Sequence, residues 1–362
     1  MKQPIIVLIF LLILSACGKS DGTRQQERNN TKKEDHQIII EEQEPLFQEI
    51  ALKSINEKQV FLVSDLIEKI DGKYEYDKLH RSLIMEINNQ IYKLVSGIPV
   101  IEQSGIYLPI DNVELIVDED GIYLPVDFLE KALGANAEVV NESIVFHWAK
   151  DVVTTSRDLQ ESNFNEEMTV EEMIDYLSFL QSPIEDAQVS TIKNHLPGAR
   201  RAYRNGFHEG IDWYPYASGQ HISTVTPVYA MAQGIVVRAD HDYNEYPSPE
   251  ERNKDLALTA ELGETPLYIF DRLRGRQVWV QYEKGIMIRF AHLDAIAEDL
   301  HVGKKVSEST IIGYVGNSGT SGAVNNDGTQ LHLHKDILIY GELFWKPFTL
   351  EEIKTIVEEV FS

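Results

Sequence analysis

The sequence predicts an α+β protein in which a small α+β domain precedes a mainly antiparallel β domain. Three observations carry this expectation. Between about 196 and 347, short apolar runs at 227–230, 234–237, 277–282, 286–290 and 311–315 alternate with glycine-bearing turns, the spacing of antiparallel strands. Between 44 and 149, an apolar run leads into an amphipathic helical pattern twice, at 61–69 and 123–131. Each copy is followed by a second apolar run, at 83–87 and 144–148. Between these regions, Thr169 and Glu172 have the spacing of a capping box, opening a helix that would bury Met173, Ile174, Leu177 and Leu180.

At 362 residues and 43% hydrophobic, the chain is long enough for two cores plus non-globular pieces. Met1-Lys2 precede an apolar run from Ile5 to Leu14, too short to span a bilayer and suited to the h-region of a secretory signal. Leu14-Ser15-Ala16-Cys17 follows and resembles a bacterial lipoprotein signal, which implies cleavage before Cys17 and a lipid on its sulfur. An ordinary signal peptide with an incidental cysteine is the alternative. Residues 1–17 are therefore read as the lipoprotein signal with its cysteine, and the polar stretch 18–43 as a disordered tether. The expected location is the extracellular face of a bacterial cell membrane, with the membrane engaged through the lipid anchor. Cys17 is the sole cysteine, so no internal disulfide forms and no second thiolate exists to ligate a metal. The formal net charge of −25 repels phosphate backbones and excludes nucleic acid as a partner. It also repels anionic wall polymers, so retention at the surface falls to the lipid.

Residues 44–149 form the expected small domain. Gly121-Ile122-Tyr123-Leu124-Pro125 and Leu133-Gly134-Ala135 resemble the stalk-like domain named after the N-terminal domain of copper amine oxidases. The resemblance implies no copper chemistry; it implies a spacer or binding module and leaves room for a protein partner. His80 and His147 read as packed or solvated. Residues 150–195 read as a linker containing the capped helix, 196–350 as the second domain with an insertion at 240–276, and 351–362 as a C-terminal helix.

The chemistry lies in the second domain. In Leu331-His332-Leu333-His334 an extended chain puts both imidazoles on one face. In Gly206-Phe207-His208-Glu209-Gly210-Ile211-Asp212, His208 and Asp212 share a face on either a strand or a helix, and the two glycines argue against helix. Imidazole and carboxylate suit zinc, and three such ligands plus a water make an open, catalytic site.

His208-Glu209-Gly210-Ile211-Asp212, then Pro227-Val228-Tyr229-Ala230 with Gly234-Ile235-Val236, then Phe290-Ala291-His292-Leu293, then Gly313-Tyr314-Val315-Gly316-Asn317-Ser318-Gly319, and last His332-Leu333-His334 follow in this order. In that order they resemble the M23 family of zinc metallopeptidases, the lysostaphin type, over roughly the last two-fifths of the chain. The resemblance implies a lysostaphin-type, duplicated-hybrid-motif-like β domain. It implies His208, Asp212 and His334 as ligands of Zn2+, with His292 and His332 as catalytic histidines beside the metal. It further implies a zinc metalloendopeptidase hydrolysing peptide bonds of peptidoglycan in cell-wall remodelling. Glu209 reads as a solvated or loop residue, since no HExxH motif exists, and His195, His221, His241 and His301 as structural or surface residues. Two departures stand out. Lys335-Asp336 replace the aromatic and glutamate usual after the final histidine, with Asp336 placed to orient a ligand and Lys335 pointing away on a strand. The insertion at 240–276 carries a helix ending near Leu262 and either borders the cleft or decorates the surface. The rival reading is a non-catalytic M23-like scaffold or activator that binds cell wall or a partner protein; a protease acting on another protein is a third.

Overall fold

A computed structural model describes residues 46–149 and 168–361. Cys17, the signal, the tether and the first part of the linker lie outside the described residues. The architecture is α+β and dominated by antiparallel sheets.

In the first lobe, a six-stranded sheet is built around Leu46–Ile55, which pairs with Ser143–Trp148 on one side and Lys58–Leu62 on the other. Lys58–Leu62 runs into the helix Val63–Ile70, whose Leu66, Ile67 and Ile70 enter the core with Val63. Gly121–Pro125 leads into only one wide, π-type turn of helix, Phe128–Ala132. The two copies of the internal pattern pair with each other through Lys58–Leu62 and Gly121–Pro125. Beyond the helices they diverge: Ser143–Trp148 stays in this sheet, whereas Ser82–Ile87 joins a separate five-stranded meander ending at Ile106–Tyr107.

The second lobe is organised by a sheet whose neighbours run Ile211–Trp213, Leu333–Ile339, Ile286–Ala291, Val278–Tyr282, Gly234–Ala239 and Lys305–Val306. A separate three-stranded sheet pairs Pro227–Tyr229, Ile311–Tyr314 and Ala295–Ile296 in that order. Strand alternation gives the large sheet two apolar faces. Val236, Val278, Val280, Ile288 and Ile337 face one core, to which Leu177 of the helix Val170–Leu177 and Ile356 of the helix Leu350–Phe361 belong. Thr169 caps the first of these helices with the full capping box. That helix stops at Leu177, so Leu180 reaches the core from the loop beyond it.

The opposite face presents Val237, Trp279, Met287 and Leu338, and these join Val95, Ile98, Val100 and Tyr107 of the first lobe in a third cluster. Tyr107 N donates to Gln281 Oε1 at 3.0 Å across this contact, and the Arg81 guanidinium lies over the Tyr268 ring at 3.8 Å. Water exposure of that apolar sheet face would be costly, and the first lobe covers it. Residues 46–149 thus pack on the back of the sheet whose other features build the site.

Candidate metal centre and cleft

Backbone pairing brings the candidate ligands together. Asp212 and His334 are direct partners in the antiparallel register of Ile211–Trp213 with Leu333–Ile339, which sets facing side chains about 5 Å apart at Cβ. Ala291, the partner of His334 on its other side, ends the strand that delivers His292. His332 enters through an isolated bridge with Gly316. His208 lies in the loop before Ile211–Trp213, tied down by His208 N to Ala199 O at 2.7 Å and Gly198 N to His208 O at 2.8 Å. The intervening Gly210 passes so close to Lys335 that a Cβ there would sit 2.1 Å from the Lys335 carbonyl oxygen. A side chain at this position would wedge His208 away from His334.

The result is a buried triad of His208, Asp212 and His334 whose ligand atoms all lie within 4.8 Å of one another. His208 Nε2 is 3.0 Å from Asp212 Oδ1 and 3.1 Å from His334 Nδ1, and His334 Nδ1 is 2.8 Å from Asp212 Oδ1. The outer nitrogens fix the chemistry of the inner ones. His208 Nδ1 donates to Leu196 O at 3.0 Å, and His334 Nε2 donates to Asp336 Oδ1 at 2.7 Å. Each imidazole thus turns its other nitrogen inward, and three acceptor atoms converge on one point. Such a set needs a positive charge at its centre. The donors, two neutral nitrogens and one carboxylate oxygen, are those of an open zinc site, and the residues fit that ion. Burial by itself lowers the His334 pKa, but Asp336 and Asp212 outweigh it and raise it to about 9. The carboxylates that hold a proton there would equally hold a divalent cation. Burial alone would raise the Asp212 carboxyl; His208 and His332 hold it well below the usual range.

Asp336 anchors this arrangement from beneath. It is fully buried, and besides His334 it meets Arg274 Nε at 2.8 Å and Arg289 Nε at 3.0 Å. Arg289 is also its direct cross-strand partner. Burial works to raise its pKa, and Arg274 and Arg289 with His334 hold it well below the carboxylate range instead.

Lys335 points the other way, into the core between sheet and C-terminal helix. Its Nζ lies 3.5 Å from the Phe361 ring centroid, 4.9 Å from that of Trp213 and 3.2 Å from Met231 Sδ. No carboxylate among the described residues pairs with it, and burial pushes its pKa well below the lysine range. Sulfur and ring faces compensate a buried ammonium or amine poorly. Lys335→Met, which keeps the shape and removes the polar head, should therefore raise unfolding free energy by about 1–3 kcal/mol. Urea denaturation measures this; a destabilised variant would mean the lysine head is better satisfied than its neighbours suggest.

His292 and His332 flank the triad. His292 Nδ1 donates to Ser318 O and His332 Nδ1 to Gln330 O, both at 2.7 Å, so each holds its Nε2 free of those carbonyls. Their ring centroids are 4.6 Å apart, and His332 Nε2 is 3.7 Å from Asp212 Oδ1. Burial lowers both pKa values, His332 to about 4 and His292 well below its ordinary value, the latter helped by the charges of its histidine neighbours. His292 adopts a left-handed backbone with φ 59°, a conformation that costs a non-glycine residue energy and that turns its side chain out of the strand direction.

All five residues line a cleft of about 960 Å³. Sequence reasoning set His195 aside, yet it lines the same cleft, held by Ser190 Oγ at 2.7 Å and Tyr216 Oη at 2.9 Å. Tyr214 stacks on His332 at 4.3 Å between centroids and 7° between planes. The signal available was the aromatic run Trp213-Tyr214-Pro215-Tyr216 directly after Asp212. Glu209 is a loop residue, as expected, and is half-buried, pairing with Arg204 at 2.7 Å. His301 is exposed, while His241 Nε2 donates to Leu300 O at 2.6 Å away from the site.

The insertion forms one wall of the cleft through its helices Pro249–Leu262 and Leu267–Arg274. It also grips the Ser318-Gly319 turn that supports His292. Glu245 Oε2 accepts from Gly319 N at 2.8 Å, Arg252 Nε donates to Gly319 O at 2.9 Å, and Arg276 N donates to Ser318 Oγ at 2.9 Å. Gly275 approaches Ser318 so closely that a Cβ would fall 2.3 Å from its carbonyl oxygen. The alternative of plain surface decoration is therefore set aside.

No family model and no curated protein matches the sequence. Among solved structures, the chain is similar to the catalytic domain of the antimicrobial peptidase lysostaphin from Staphylococcus simulans, at 20% identity and a TM-score of 0.24, over 41% of this chain and 74% of that one. It is similar to a zinc-containing peptidase from Vibrio cholerae at 12% identity and a TM-score of 0.30, over 83% and 69%. It is also similar to a structure of the SpoIIQ–SpoIIIAH pore-forming complex at 17% identity and a TM-score of 0.28, over 46% and 87%. At these levels of overlap, function has to be reasoned from the residues of the site.

Proposed function

We propose that the chain is a zinc-dependent endopeptidase of the M23, lysostaphin type that hydrolyses peptide bonds of peptidoglycan. The observation that carries this reading is the convergence of His208 Nε2, Asp212 Oδ1 and His334 Nδ1 at the floor of an open cleft, with two further histidines beside them. His208, Asp212 and His334 would hold the ion; when bound, zinc supplies Lewis-acid polarisation of an amide carbonyl and acidifies water. His292 and His332, neutral and with Nδ1 donating to carbonyls, offer a bare Nε2 to accept a proton from attacking water; the Nε2–H so formed can donate to the developing oxyanion and then pass the proton to the leaving amine. Tyr214 keeps the His332 ring in plane for that exchange, and Asp336 holds the His334 ring with Nδ1 inward.

The direct test is zinc stoichiometry and release of peptide from purified cell walls by the same preparation, with and without a chelator. About one zinc per chain with chelator-sensitive release supports the enzyme; stoichiometric zinc with no cleavage of any wall type transfers belief to the scaffold reading. The surface location rests on Cys17 in its lipoprotein-like signal. Cys17→Ser should move the chain from the membrane fraction to the soluble fraction of cells, and unchanged fractionation would rule the lipid anchor out.

A further inference from the structure

The chain carries a formal charge of −25, yet its cleft is lined by four arginines, Arg201, Arg204, Arg252 and Arg274, against two carboxylates, Glu209 and Asp212. A local excess of positive charge in a concave site on an otherwise acidic molecule concentrates anions there. Three of the guanidiniums already have carboxylate partners. Arg204 meets Glu209 at 2.7 Å, Arg274 meets Asp336 at 2.8 Å, and Arg201 lies 3.4 Å from Asp212 Oδ2. Arg252 differs: its Nε donates to Gly319 O, and among the described residues no carboxylate is ion-paired with it. That single bond anchors it next to Ser318, whose carbonyl holds His292. Glu245 and Arg276, which lie before and after the two helices of the insertion, hold the same turn, so Arg252 is tied to the turn that supports His292, and its remaining N–H groups form a planar fork matched to a carboxylate.

We infer that Arg252 is a specificity-determining residue that selects a peptide carrying a free carboxylate near the bond to be cleaved. The inference rests on the peptidase reading of the cleft and names the class of peptide it takes. The carboxylate could be a glutamate-type side chain or a C-terminus, and Arg252 reads the shared chemistry of the two.

Two pairs of synthetic alanine-based hexapeptides test it. One pair is amidated and carries a central Glu or Gln; the other has no Glu and ends in a free acid or an amide. Binding is measured by calorimetry to the zinc-loaded full chain in a His332→Ala background, which blocks turnover, and cleavage is followed separately by mass spectrometry with the unaltered chain. At least one acidic peptide should bind about tenfold tighter than its neutral partner, the preference shrinking as salt rises, and the pair that shows it identifies the source. Arg252→Gln should reduce the ratio of acid to amide affinity to about one, and Arg252→Lys should restore several-fold of it, a pattern that a merely structural role for Arg252 would not produce. Equal affinities within both pairs, or a preference that survives Arg252→Gln, overturns the inference. Preference without cleavage upholds it and counts against the peptidase reading alone; cleavage without preference does the reverse.

Discussion

His334→Ala is expected to abolish stoichiometric zinc binding and to cut release of peptide from cell walls by about 1000-fold or more. His334 touches each part of the centre: its Nδ1 meets His208 and Asp212, and its Nε2 meets Asp336. Removing it leaves two ligands, too few for a tight zinc site, and strips Asp336 of one of its three partners. His332→Ala is the informative contrast. His332 stands beside the triad with its Nε2 3.7 Å from Asp212, so that variant should retain zinc and lose turnover. Equilibrium dialysis with metal analysis, alongside the wall assay, separates the two. Zinc loss from both variants alike would remove the division between ligand and catalytic histidine.

Asp336→Asn carries the second large effect, and it acts on stability and metal together. The carboxylate is fully buried and is shared by Arg274 and Arg289. Neutralising it leaves the buried Arg274 and the largely buried Arg289 without the charge they share, at a cost of about 3–5 kcal/mol in unfolding free energy. The amide is also a weaker acceptor for the His334 N–H, and its loss of charge lowers the basicity of that ring. Zinc affinity should fall by about 10- to 100-fold. Urea denaturation and competition with a chromogenic chelator read the two effects independently. Unchanged affinity in a folded variant would show that Asp336 serves the fold alone.

Much of this arrangement was legible in the sequence because it is written in local patterns. Apolar runs bounded by glycine marked Gly234–Ala239 and Ile286–Ala291 as strands, and Thr169 with Glu172 marked a capped helix. Period-2 spacing put His332, His334 and Asp336 on one face and Lys335 on the other. What stayed hidden depends on pairing between distant segments. Nothing local to Arg289 announces that it lies opposite Asp336, and nothing in 240–276 announces that Glu245 and Arg252 would clasp Gly319. The internal pattern of the first lobe likewise left the sheet membership of its second runs open. Ser82–Ile87 and Ser143–Trp148 are similar as apolar runs, but they join different sheets. Tyr107, Val95 and Val100 gave no sign that they would cover Trp279 and Met287 rather than serve a separate core. His195 was passed over because it lies outside every motif, although Tyr216 and Ser190 hold it at the cleft wall.

The central claim is that a His208–Asp212–His334 centre in this cleft hydrolyses peptide bonds of the cell wall. Its most direct test is mass spectrometry of the soluble fragments released when purified peptidoglycan is incubated with the zinc-loaded chain, compared with the chelated chain and with His334→Ala. Hydrolysis of a peptide bond adds one water and leaves a new amine and a new carboxylate at a single recurring position, present only with the zinc-loaded, unaltered protein. Fragment profiles identical in all three incubations, from a preparation with about one bound zinc, would contradict it.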